Sequence, residues 1–301
     1  MYNRRDFIKT VLAGSAFLAL PSTISAFSHK KTTTLVILHT NDVHSHIEPF
    51  PPNDARFPNM GGAARRALLI NKIRSENEHV LLLDSGDIFQ GTPYFNFFGG
   101  KLDFELMSKM KYDAATLGNH EFDNGINWLV DKLQYANFPF VNCNFNVSET
   151  ELNGKIQKWT IIDKGNLRIG ITGLGINPKG LIKESNYKGL IYNDPVVEGD
   201  LTAQMLKEKK KCNFVIALSH LGLDMGDAID DRKLAAQTQY IDLILSGHTH
   251  TFMKEPEIIN NLVNKPVVIQ QAGMGGVCLG RLDFTFFKEK IDVKSNIYGV
   301  K

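Results

Sequence analysis

Apolar residues fall along this chain in short runs, each closed by polar or glycine-rich punctuation. Leu35-Val36-Ile37-Leu38, Val80-Leu81-Leu82-Leu83 and Phe214-Val215-Ile216-Ala217-Leu218 are unbroken apolar stretches, and Ile241-Asp242-Leu243-Ile244-Leu245 nearly so. Such runs predict strands covered on both faces. Residues 114–117, 138–143, 158–162, 167–174, 267–271 and 280–287 read as further strands. Helix-like patterns occupy 63–74, 102–110, 126–134 and 196–210. Strands interleaved with helices predict an α/β layered domain.

The polar residues that end these runs are of few kinds. Asp42 and His44 follow the first strand, and alternate residues of an extended chain point the same way, so both can face one ion. Ser85-Gly86-Asp87 closes the second. Gly118-Asn119-His120-Glu121-Phe122-Asp123 follows the run at 114–117, His220 follows Ser219, and Ser246-Gly247-His248-Thr249-His250 closes the run at 241–245. Strand ends are where α/β folds place chemistry. His29, His39, His46 and His79 are left to structural roles. Four prolines, Pro49, Pro51, Pro52 and Pro58, make 48–60 an irregular loop beside the Asp42–His44 pair.

Asp42, His44, Asp87, Asn119, His220, His248 and His250 are seven oxygen and nitrogen donors without a thiolate. That is too many for one tetrahedral zinc and suits two divalent ions sharing a carboxylate, roughly 3.5–4 Å apart. Mixed imidazole and carboxylate donors favour Mn, Zn, Fe or Co. Two such centres lower the pKa of a shared water, so hydrolysis is the expected reaction.

Composition adds a compartment and removes some partners. Paired arginines at Arg4 and Arg5, an apolar run from Val11 to Leu20 and small residues at Ser25-Ala26 make residues 1–26 a twin-arginine-type export signal. The apolar run is shorter than the roughly 20 residues a membrane span needs. The expected mature domain, 27–301, is then periplasmic or extracellular. Setting aside Arg4, Arg5, Lys9 and Asp6 from 34 basic and 32 acidic residues leaves a neutral chain. Nothing in bulk charge draws it to nucleic acid or a membrane. Cys143, Cys212 and Cys278 are widely spaced and odd in number, which suggests no disulfide framework.

The five motifs, in this order, resemble those of the calcineurin-like metallophosphoesterases, and more closely the catalytic domain of the 5'-nucleotidase and UDP-sugar hydrolase family. The resemblance runs over nearly all of the chain after Thr34. It implies a four-layer sandwich, two β-sheets packed face to face with helices outside. It also implies one metal on Asp42, His44 and His250, a second on Asn119, His220 and His248, and Asp87 bridging. His250 departs from many 5'-nucleotidases, which have Gln there. His120 and Asp123 match the family's catalytic dyad, a cationic imidazole oriented by a carboxylate. The implied activity is hydrolysis of phosphate esters, foremost nucleoside 5'-monophosphates, with phosphodiesters or nucleotide sugars as the alternative. A thiosulfohydrolase and a non-catalytic metal-binding subunit are the remoter readings. Two-domain 5'-nucleotidases bind the base through a C-terminal domain that the residues up to Lys301 do not match, so a separate protein could supply it in trans.

Overall fold

The computed structural model describes residues 32–301 apart from Glu289. The export signal expected at 1–26 lies outside the described residues.

Two mixed sheets form the centre. The first has five strands in the order β13-β12-β1-β2-β3: β1 is Thr33–Thr40, β2 Val80–Asp84, β3 Ala114–Ala115, β12 Cys278–Phe287 and β13 Lys290–Gly299. The second has six in the order β10-β11-β9-β8-β6-β5: β5 is Trp159–Lys164, β6 Leu167–Leu174, β8 Phe214–Ser219, β9 Leu243–Leu245, β10 Glu257–Asn260 and β11 Pro266–Gln270. A small pair, β4 (Phe145–Asn146) with β7 (Ile191–Tyr192), lies apart. In the first sheet β1, β2 and β3 run parallel, and in the second β6, β8, β9 and β11 do.

Side-chain alternation explains the layers. Leu35, Ile37, Leu81 and Leu83 point inward and meet Ile169, Ile171, Phe214, Ile216, Leu243 and Leu245 of the other sheet. Their neighbours Val36, Leu38, Val80 and Leu82 point outward, to a second core with Ile70 and Ile73 of helix α1 (Ala63–Glu76) and Phe104 and Met107 of the helix Lys101–Lys109. On the far side Val215, Ala217, Ile244 and Ile269 pack against Ala203 of the helix Pro195–Gln204 and Leu234 of the helix Asp231–Gln237. Each fully buried leucine contributes about 1.5–3 kcal/mol. The result is the four-layer α/β sandwich that the resemblance implies.

Several elements differ from expectation. Residues 138–143 form no strand: Phe140 and Val141 make isolated bridges to Ala115 and Gln157. The run at 114–117 is reduced to two strand residues, and the helix expected over 196–210 is α-helical only to Gln204, continuing as a π-helical turn over Met205–Lys209. The aromatic segment Pro93–Phe98 is a short helix. The three cysteines are buried and free. Among the described residues no helix is long and apolar enough to cross a bilayer.

Candidate active site

The carboxyl ends of the parallel strands in both sheets open onto one place. Asp42 and His44 follow β1, Asp87 follows β2, Asn119 and His120 follow β3, His220 follows β8, and His248 and His250 follow β9. The backbone turns sharply as it leaves the strands, with left-handed φ at Asp42 (50°), His44 (51°), Asp87 (52°), His248 (69°) and His250 (53°). Such conformations cost about 1–3 kcal/mol each and persist where the surroundings over-determine them.

The seven residues singled out as donors come together in two groups. In the first, ligand atoms of Asp42, His44 and His250 lie within 4.8 Å of one another; in the second, those of Asp87, His220 and His248 do. His248 Nδ1 is 3.1 Å from Asn119 Oδ1, which adds Asn119 to the second group. His220 Nε2 is 3.1 Å from Asp87 Oδ2 and has no hydrogen-bond partner, although His220 is fully buried. His44 Nε2 and His250 Nε2 face each other at 3.0 Å. His250 Nε2 is 3.3 Å from Asp42 Oδ1.

These groups fit divalent cations. His44 Nδ1 donates to the Phe89 carbonyl at 3.1 Å and His220 Nδ1 to the Ser85 carbonyl at 2.7 Å. With Nδ1 committed to a carbonyl, each Nε2 faces the cluster, the orientation a metal needs. Burial lowers the pKa of His44, and burial together with His220 lowers that of His248 to about 4, so both imidazoles are neutral at pH 7. His220 behaves oppositely. Burial opposes charge on it, yet the Asp87 carboxylate at its side raises its pKa to about 10. Burial would raise the Asp87 pKa, but His220 outweighs it and holds the carboxyl below its usual range. The pocket therefore demands positive charge beside Asp87, which a divalent ion meets.

His120 and Asp123 stand at the mouth, on the 3-10 turn His120–Phe122 and its C-terminal cap. His120 Nδ1 and Asp123 Oδ2 are 2.8 Å apart, and that hydrogen bond is the main cause of a His120 pKa raised to about 9. His120 N donates to Asp87 Oδ1 at 2.8 Å, tying the turn to the second cluster. A Cβ at Gly118 would collide with Asp87 and His220, so only glycine lets the chain pass there.

Three site residues carry no signal in the sequence reading. Glu121 is buried and its carboxylate accepts four backbone N–H groups: Ile88 (2.8 Å) and Phe89 (3.1 Å) on one oxygen, Asp87 (2.9 Å) and Gly118 (2.6 Å) on the other. It thereby joins the loop of Asp87 to that of Asn119. Gln271 Nε2 donates to Ser246 Oγ and to the Gly247 carbonyl, both at 2.7 Å, and its Oε1 accepts from Thr251 N. Asn41 Nδ2 donates to Asp42 Oδ2 at 2.7 Å and to the Gly273 carbonyl at 2.6 Å. A Glu three residues past Gly118 is in plain view, but its partners are backbone groups, which leave no trace in sequence.

Known proteins resemble the chain over most of its length. Residues 35–252 match the family model described as calcineurin-like phosphoesterase. The chain is 32% identical over 284 residues to the trifunctional nucleotide phosphoesterase protein YfkN of Bacillus subtilis, covering 84% of this chain and 18% of that protein. It is 33% identical over 282 residues to the snake venom 5'-nucleotidase of Crotalus adamanteus, covering 87% of this chain and 47% of the venom protein. The crystal structure of a 5'-nucleotidase precursor from Thermus thermophilus superposes with a TM-score of 0.81 at 31% identity, covering 89% of this chain and 55% of the other. The chain thus spans half or less of these two curated relatives. On its motifs, its fold and these matches, the chain belongs to the calcineurin-like phosphoesterase family.

Proposed function

We propose that this chain is an exported two-metal phosphoesterase whose substrates are nucleoside 5'-monophosphates. The observation that carries the reading is the His120–Asp123 pair, 2.8 Å apart, standing beside two three-donor clusters. Asp42, His44 and His250 would hold one ion, Asn119, His220 and His248 the other, with Asp87 shared. Mn, Zn, Fe or Co suits this donor set. When bound, two such ions would supply Lewis acidity toward a phosphate ester and lower the pKa of water.

The chain's own groups complete the chemistry. With a pKa of about 9, His120 is protonated at neutral pH. Its Nδ1 is committed to Asp123, which leaves Nε2–H to reach the substrate. That cation offsets charge on the transferring phosphoryl group, and as the P–O bond breaks the leaving oxygen takes the Nε2 proton. Asp123 fixes the ring through the cycle. The nucleotide preference rests on the relatives' names, and the export reading on residues 1–26.

The test is phosphate release by the Mn- or Zn-loaded chain across AMP, UDP-glucose, a 2',3'-cyclic nucleotide and bis(p-nitrophenyl) phosphate. Selective release from AMP is expected. His120→Ala should lower kcat roughly 10²–10⁴-fold while metal content stays unchanged. Faster turnover of the diester than of AMP would sink the nucleotidase reading. Mass analysis of the exported chain should place its N-terminus close to Phe27; an intact residue 1 would sink export with cleavage.

A further inference from the structure

On the helix-covered face of the first sheet, the chain buries two opposite charges that do not pair. Arg66 of α1 and Asp103 of the helix Lys101–Lys109 are each 3% exposed. Arg66 Nε and Nη1 and Asp103 Oδ2 have no hydrogen-bond partner, and neither has Ser45 Oγ, next in sequence to His44. Burial raises the Asp103 pKa, while the Ser45 hydroxyl and the Arg66 charge, both close by, work against it. A buried charge whose partner stands off is costly unless something satisfies it.

Both charges line one cavity of about 10 Å³, together with Tyr112 and apolar side chains such as Val43, Ile88 and Met107. That is the room a single water needs. The occupant must also answer both signs. A chloride would take the guanidinium N–H groups and repel the carboxylate, and a sodium ion would do the reverse. A water accepts from Arg66 and donates to Asp103 Oδ2. Tyr112 supplies the third partner. Its hydroxyl is 2.8 Å from Thr40 Oγ1, and Thr40 Oγ1 donates to Asp84 Oδ2 at 2.5 Å, so the Tyr112 proton goes to Thr40 and its oxygen stays free to accept. Three bonds are the usual number for an internal water.

The cavity adjoins the loops that carry the candidate ligands. Val43 lies between Asp42 and His44, Ile88 follows Asp87, and Ser45 N donates to the Ile88 carbonyl at 2.8 Å. From Tyr112 the hydrogen bonds run through Thr40 to Asp84, whose Oδ1 accepts from Gly86 N at 2.9 Å, one residue before Asp87. Arg66 reaches a third loop. A Cβ at Gly276 would strike its Nη1, and the neighbouring Gly275 N donates to the Asp42 carbonyl at 2.7 Å.

We propose that one buried water fills this cavity and that Arg66 and Asp103, joined through it, are positioning residues for the first cluster, setting the turn that presents Asp42 and His44. Neither is itself a ligand. The positioning role rests on the reading of Asp42, His44 and His250 as holders of an ion, whereas the water does not.

Two measurements on the full chain test the two parts. A crystal structure of the metal-free chain should show a water bonded to Arg66, Asp103 and Tyr112, and a dry cavity overturns the proposal. Release of Mn from the loaded chain to a chelator should show two phases, one per ion. In Arg66→Met with Asp103→Leu, both charges give way to apolar side chains together, which keeps the layer packed. The faster phase should then quicken about tenfold while the slower one holds. Asp103→Asn, whose amide oxygen still accepts from the water, should stay near the parental rate. Arg66→Lys keeps the charge and loses the planar fork between water and Gly276, so it should quicken the same phase by less, and it decides the matter if the paired variant does not fold. Unchanged release in these variants would mean that the two residues only fill the layer, and equal quickening of both phases would mean a general loosening; either overturns the positioning role. Fewer than two ions taken up by the parent would sink the two-metal reading and the positioning role together, with the water in the crystal still standing.

Discussion

His220 is wholly buried, whereas His250, its counterpart in the neighbouring cluster, keeps 36% of its side chain exposed. The difference follows from what surrounds each. His220 leaves a central strand, donates to the Ser85 carbonyl across the sandwich and faces an Asp87 whose loop is clamped by the four hydrogen bonds of Glu121. His250 sits further from its strand, on the rim beside exposed Phe252. Two sites with similar donors can thus differ in how firmly they are held. Each cluster pairs two buried ligands with a partly exposed histidine, His248 in one and His250 in the other, so the difference rests on His220 and the Glu121 clamp. We expect the His220 cluster, the buried cluster below, to hold its ion longer than the His250 cluster, the rim cluster.

Asp87→Asn should be the most damaging change, because Asp87 serves the buried cluster and faces His44, His120 and His220 electrostatically. Its loss of activity should exceed the roughly 10²–10⁴-fold of removing the acid alone. Both ions should fall in metal analysis; two ions retained per chain would show that Asp87 is not the shared ligand. Glu121→Gln comes next. A neutral amide cannot accept four N–H groups as a carboxylate does, and hydrogen bonds to a charged group are worth about 1.5–3 kcal/mol each. Metal affinity at the buried cluster should weaken roughly 10–100-fold, as for other outer partners of ligands. Equal weakening at the rim cluster would show that the clamp does not discriminate.

His250→Gln should do less. The amide oxygen keeps a donor at an exposed position, so activity with saturating metal should stay within about tenfold while the first ion dissociates faster in a chelator chase. An unchanged chase would count against an exchangeable rim.

Asp231→Asn should be the mildest for activity and the most informative about burial. Asp231 lies under the buried cluster, its carboxyl facing the hydroxyls of Ser219 and Ser246 without a hydrogen bond of normal geometry, and burial raises its pKa to about 7. A folded-state pKa above the unfolded value of ~3.9 stabilises the protein fully below pH ~4, and that contribution is lost as pH rises through 7. The Tm of the parent relative to Asp231→Asn should therefore fall between pH 5 and pH 8. A difference flat with pH would mean the carboxyl ionises freely.

Much of this is legible in the residues, for a physical reason. A strand buried on both faces must be apolar along its length, so β1, β2, β8 and β9 announce themselves, and donors placed just after them stand out against glycine and serine. What escapes is made of other material. β13 runs Lys290, Asp292, Lys294 along one side at the edge of its sheet, where water replaces a second layer and the apolar signal thins. The helix Pro93–Phe98 is too short and aromatic for helical periodicity to show. Residues 138–143 carry a strand's composition, yet they cross between sheets and pair through single bridges. Glu121, Gln271 and Asn41 speak to the backbone, and their positions become meaningful only once the loops they hold are seen. The seven donors and the dyad residues occupy one space; their division of labour awaits the variants above.

His44 and His250 are 206 positions apart in the chain and 3.0 Å apart at the site. An ion held between them would therefore be a fastener across the whole sandwich, since one half of its seat would come from each sheet. During synthesis Asp42 and His44 emerge early and wait, because the opposite half does not exist until β9 has been made. Occupancy of the centre is in this sense a mark of completion: a chain that has taken up its metal has already brought its first and last thirds together.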